Sequence, residues 1–124
     1  MTYIDLSAIK EEHLNGTWEV TNRVVNNNAA SNPFIDIRMI EMNGEKYRSV
    51  NGKERKGEWQ MIREQEIIYN PQIKFFLDRQ QVGNAIITRL LSESYLDGET
   101  YKLTLYFSNG LELILKKTAV KLIA

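Results

Sequence analysis

Asn15-Gly16-Thr17-Trp18 leads into the alternating run Glu19-Val20-Thr21-Asn22-Arg23-Val24-Val25, directly after a short amphipathic segment. Glycine lets the chain turn sharply out of a helix, and a tryptophan two residues into the first strand is a large apolar plug for the end of a closed sheet. This pattern predicts a barrel. From Gly16 onward the dominant signal is period two, punctuated by Asn43-Gly44, Asn51-Gly52, Asp97-Gly98 and Asn109-Gly110. Such pairs reach the positive φ angles that tight hairpins need.

Between those marks the strands fall near Gly16 to Asn26, Phe34 to Met42, Glu45 to Val50, Gly57 to Arg63, Glu66 to Tyr69, Ile73 to Arg79, Ala85 to Tyr95, Glu99 to Phe107 and Leu111 to Lys117. Pro71 interrupts the middle of the chain, and Gln80 to Asn84 reads as either strand or extended loop. The count is about eight strands. Ahead of them, Asp5 can cap a short helix running to His13 or Leu14, with Leu6, Ile9 and Leu14 near one face.

The pleat sets sidedness. If Trp18 points inward, so do Val20, Asn22 and Val24, leaving Glu19, Thr21 and Arg23 in water. Similar parity turns Ile35, Ile37 and Met39 inward, then Tyr47, Trp59, Met61, Leu103, Leu105 and Phe107, with Leu113 and Leu115. A meander with one dry face leaves two bare edges unless it curls round and joins itself, which favours an all-β, antiparallel up-and-down barrel. A two-sheet sandwich shares the same periodicity and is the alternative.

The chain's 124 residues suit one domain, 1–124, able to bury roughly two thirds of the surface its unfolded form exposes. Without cysteine it has no disulfide, thiolate metal site or cysteine nucleophile, so stability has to come from packing. Sixteen basic and sixteen acidic residues are interspersed, giving no stripe that tracks a phosphate backbone, and nucleic acid is not an expected partner. No apolar window is long enough to span a bilayer, and Met1 to Lys10 lacks the pattern of a secretory signal. The chain as written therefore reads as cytoplasmic; an upstream leader, if one is removed, makes it periplasmic or cell-envelope instead.

Leu14-Asn15-Gly16-Thr17-Trp18-Glu19-Val20 resembles the Gly-x-Trp signature of the lipocalin-like proteins of the calycin superfamily, particularly the short bacterial lipocalin-like domains. Gly57-Glu58-Trp59-Gln60-Met61 is similar to a second Gly-x-Trp strand found mid-barrel in those relatives, and the closing strands around Leu103 and Leu113 complete the likeness. In that family an arginine on the last strand packs over the motif tryptophan. Here Lys116 and Lys117 occupy that neighbourhood, and a lysine stem can cover an indole with a weaker cation contact. The resemblance implies a meander barrel open at one end, binding a small hydrophobic molecule without chemistry.

On that reading the candidate ligand-binding residues are Asn22, Ile37, Met39, Tyr47, Trp59, Met61, Leu105 and Phe107, with Ser49 a further polar group within reach. The loop from Asn26 to Pro33 joins the first two strands where such barrels carry a lid. No Gly-x-Ser-x-Gly elbow, phosphate loop, dinucleotide fingerprint or zinc spacing is present, so no catalytic residue, metal or cofactor is expected. His13 reads as a solvated helical residue, Glu64 and Glu66 as surface carboxylates beside Arg63, and Lys53, Arg55 and Lys56 as a hairpin tip blunted by Glu54 and Glu58.

The rival function is a solid-cored barrel acting as an interaction or scaffold protein. Outward Phe34, Phe76, Tyr106 and Ile114 could then form a contact patch or a weak homodimer surface. Interior volume separates the two: a continuous void of roughly 300 Å³ or more beside the Asn26 to Pro33 loop favours carriage, and a filled centre favours the scaffold.

Overall fold

The computed structural model describes residues 2–26, 31–63, 70–95 and 98–117. Its strands are β1 (Thr2–Tyr3), β2 (Gly16–Val25), β3 (Met39–Asn43), β4 (Lys46–Val50), β5 (Glu54–Ile62), β6 (Gln72–Leu77), β7 (Gln80–Tyr95), β8 (Gly98–Phe107) and β9 (Leu111–Lys117). From β2 to β9 each strand pairs antiparallel with the next, and β9 pairs back onto β2, so eight strands close a meander barrel. The two-residue β1 lies outside this ring, against Leu91 and Ser92 of β7. The expected strand Glu66–Tyr69, the carboxylates Glu64 and Glu66, and Asp97 fall outside the described residues.

Asn43-Gly44, Asn51-Gly52 and Asn109-Gly110 all turn as expected, with glycine φ of +63°, +101° and +94°. A further turn, at Asp78-Arg79, puts two non-glycine residues at φ 51° and 68°. That makes it a hairpin of the type with both central residues at positive φ, and it starts β7 at Gln80, so Gln80 to Asn84 is strand rather than loop.

The N-terminal helix is broken in two. Asp5 does cap, accepting from Ser7 N at 2.9 Å, but the cap serves only a 3₁₀ turn over Leu6–Ala8. After extended Ile9 and Lys10, a single α turn α1 covers Glu11–Leu14. His13 closes this turn, its Nδ1 accepting the Lys10 N–H at 2.8 Å.

Two corrections concern the sides on which residues lie. In β2 the register slips between Val20, opposite Leu115, and Asn22, opposite Ile114, so Thr21 is an extra residue. The bulge inverts the alternation: Asn22 turns out to solvent, Val24 and Val25 stay about half exposed at 49% and 50%, and Arg23 comes to face buried Leu113. In β3 the buried residues are Ile40 and Met42, while Met39 is half-buried on the opposite face. The run Ile37-Arg38-Met39-Ile40-Glu41-Met42 is apolar in both phases, and the pairing of Trp18 with Ile40 selects one. Among the described residues, no helix is long and apolar enough to cross a membrane.

Candidate functional site

At the helical end, Trp18 is fully buried and donates from Nε1 to Leu14 O at 2.8 Å. Lys117 stands directly opposite it on β9. Its ammonium lies 5.0 Å from the Trp18 ring and 4.8 Å from the Tyr101 ring, and donates to His13 O at 2.7 Å. Gly16 admits the stem, since a Cβ there would lie 3.1 Å from Lys117 Cδ on a backbone held at φ +133°. Arg63 completes this closure by donating to Leu6 O at 3.0 Å and to Ile9 O.

Burial lowers the pKa of Lys117 below its ordinary 10.5. The unfolded chain therefore holds a proton that the folded chain has already released, and the contribution of Lys117 to stability rises with pH as that value is approached. Lys117→Met removes the bond to His13 O and both ring contacts, an expected loss of about 1 to 3 kcal/mol near neutrality. The deficit should widen towards alkaline pH. Denaturant midpoints for both proteins across the alkaline range test this, and a constant gap would contradict it.

The opposite mouth is covered by a flap, residues 31–38, which belongs to no strand. Side chains hold it. Arg23 donates to Ile37 O at 2.7 Å and to Ile35 O, Arg55 to Pro33 O at 3.3 Å, Asn51 to Asp36 at 2.8 Å, and Asn32 to Asn109 at 3.0 Å. Arg23, expected only to sit in water, thus crosses the mouth, and the inversion at the β2 bulge is what aims it there.

Phe34 is the residue the flap delivers. Expected on the outer face, it is 2% exposed and belongs to the core cluster. Its ring lies 4.8 Å from Phe75, 5.3 Å from Phe107 in a stacked arrangement, and 5.9 Å from Tyr47. On the remaining side is Gly83, where a Cβ would stand 2.7 Å from Phe34 Cε2. Asn32 braces the turn by accepting from Phe34 N at 2.8 Å.

Of the expected ligand-binding residues, Ile37, Tyr47, Trp59, Leu105 and Phe107 are brought together in this core, and Met61 packs against it. Ile37 arrives from the flap instead of a strand, Met39 faces away and Asn22 is in solvent. Ser49 is buried. Burial pushes the Tyr47 hydroxyl above its ordinary pKa, against a smaller opposing effect of Arg55, so it stays a neutral donor. Trp59 Nε1 is buried and finds no hydrogen-bond partner among the described residues.

The described residues form concavities open to the outside, among them the following pair. One, of about 240 Å³, lies at the flap edge and is lined by Ser31, Asn32, Pro33, Gln81, Val82, Gly83, Asn84, Phe107, Ser108 and Asn109. The other is a groove of about 810 Å³ across the outer faces of β3 to β6, where Glu41, Arg48, Glu54 and Lys56 form weak surface ion pairs at 3.3 to 4.0 Å. Among the described residues, no group of three or more His, Asp or Glu side chains could hold a metal.

No family model, curated protein or solved structure matches the chain. The closed eight-strand meander is compatible with a lipocalin-like fold.

Proposed function

We propose that the protein is a lipocalin-like barrel that binds a small, largely apolar molecule at its flap-covered mouth, without catalysing a reaction. Kinship with the calycin superfamily is part of this reading, supported by the closed meander, the two Gly-x-Trp strands and the cation over the first tryptophan. One observation carries the function: the aromatic seat at the mouth is filled by a flap side chain, Phe34, and the 240 Å³ cleft and that seat share Gly83 and Phe107 as their wall. Moving Phe34 would join the two spaces into one that opens beside Ser31, Asn32 and Pro33. Ligand sites are commonly concave, apolar and fixed by a few polar groups, which describes the joined space.

The test is a panel of fatty acids, retinoids and an apolar fluorophore, read by saturable fluorescence change, displacement and melting temperature. Saturation by at least one compound, with a rise in melting temperature that grows with its concentration, is the expected result. Absence of both for every compound would sink the reading. A solid barrel that meets a macromolecular partner is the second reading, favoured by the large buried side chains gathered in the core and the charged groove outside.

A further inference from the structure

The cleft and the plug differ in chemistry, and together they define a ligand. The seat of Phe34 is aromatic on three sides, formed by Tyr47, Phe75 and Phe107, and closed by a glycine on another. None of the ten residues lining the cleft above it is charged, in a chain where 26% of residues are. Eight of the twelve lining the outer groove are charged, so the neutrality is local. Asn32, Gln81, Asn84 and Asn109 are four carboxamide residues among that lining, two of them already bonded to each other through Asn32 Nδ2 and Asn109 Oδ1 at 3.0 Å. Asn84 Oδ1 is buried with no partner among the described residues.

Building on ligand binding at this mouth, we infer that the molecule taken up is uncharged and carries one aromatic ring, which exchanges for the Phe34 side chain while a neutral hydrogen-bonding end stays among the carboxamides. An incoming ring recovers the stacking and edge contacts that Phe34 gives up, so exchange costs chiefly the flap latches. A carboxylate has no such compensation. Arg23 and Arg55, the guanidinium groups bonded to the flap, already donate to its carbonyls, and no charged residue lines the cleft to receive an anion that leaves water.

Phenethyl alcohol, phenylacetate and octanol are the probes, titrated into the wild-type chain, Phe34→Ala and Arg23→Gln. Tryptophan fluorescence and the amide resonances of Ser108 and Asn109 are followed. Phenethyl alcohol is expected to saturate, with a Kd about ten-fold below those of the other two. It should tighten about ten-fold in both variants, because apparent affinity is divided down by the fraction of molecules with the seat open. Arg23→Gln changes an exposed side chain and keeps the test alive if Phe34→Ala does not fold. Saturation by all three probes with equal affinity would overturn the inference while leaving ligand binding intact. Unchanged affinity in the folded variants would overturn plug exchange. Saturation by none of these probes, nor by the apolar fluorophore, would overturn both.

Discussion

Replacing Trp18 with alanine is expected to remove roughly 3 to 5 kcal/mol of stability, the largest loss among single truncations of this barrel. The indole is fully buried, so the variant loses its transfer free energy and leaves a cavity among strands that cannot collapse around it. It also strands two polar groups. Leu14 O loses the Nε1 donor at 2.8 Å, and the Lys117 ammonium loses one of its two aromatic faces while remaining half-buried. Trp18→Phe separates these contributions, since it keeps most of the volume and loses the donor; it should cost about 1 to 2 kcal/mol. Urea unfolding measures both, and a loss below about 1 kcal/mol for Trp18→Ala would mean the indole is not the plug of that end.

Gly57→Ala is the second large effect, through space and not backbone strain. Gly57 is not among the positive-φ glycines, yet a Cβ there would stand 2.1 Å from Phe76 O and 2.6 Å from Tyr47 Cε1. The first of these is backbone, so the β5–β6 ladder has to part beside its Glu58–Phe76 pair, and the second presses Tyr47 into the cluster with Phe34 and Phe75. Overpacking of that kind should cost about 3 kcal/mol or more. Gly44→Ala is the control: φ is +63° but nothing lies within 4 Å, so only the left-handed penalty of about 1 kcal/mol applies. Equal losses in the two variants would show that Gly57 is not needed for close approach.

The two Gly-x-Trp segments thus share a logic that spacing alone only hinted at. In each, the tryptophan is buried and the glycine two residues earlier leaves room for another side chain, Lys117 over Gly16 and Tyr47 over Gly57. The lysine noted near the C-terminus from the family likeness does reach the first indole. What could not be read was the helix break at Ile9 and Lys10, because the pattern Leu6, Ile9, Leu14 fits one continuous amphipathic turn as well as two pieces pinned by Arg63.

The mouth was the least legible part. Uninterrupted alternation puts Asn22 and Met39 inside and Phe34 outside, and each assignment fails where alternation stops. A bulge at Thr21 turns Asn22 outward and Arg23 towards the flap, and residues 31–38 leave the ladder altogether. A β-bulge carries no compulsory residue type, and Thr21 offers only a hydroxyl that bonds Ile114 O at 3.1 Å, an effect visible once β9 lies alongside. Phe34 precedes Ile35 and Ile37 in a run that is apolar in more than one register, so its side depends on Gly83, almost fifty positions later, which faces it.

Period-two alternation, the asparagine-glycine turns and the first Gly-x-Trp were enough to specify an antiparallel meander with one dry face, because hairpin geometry and side-chain parity are local properties of a few adjacent residues. Closure of the ring, the bulge that re-aims Arg23 and the delivery of Phe34 into an aromatic seat depend on pairs far apart along the chain. Register and cross-barrel contact follow from how whole strands twist, stagger and meet, and no stretch of sequence encodes that separately.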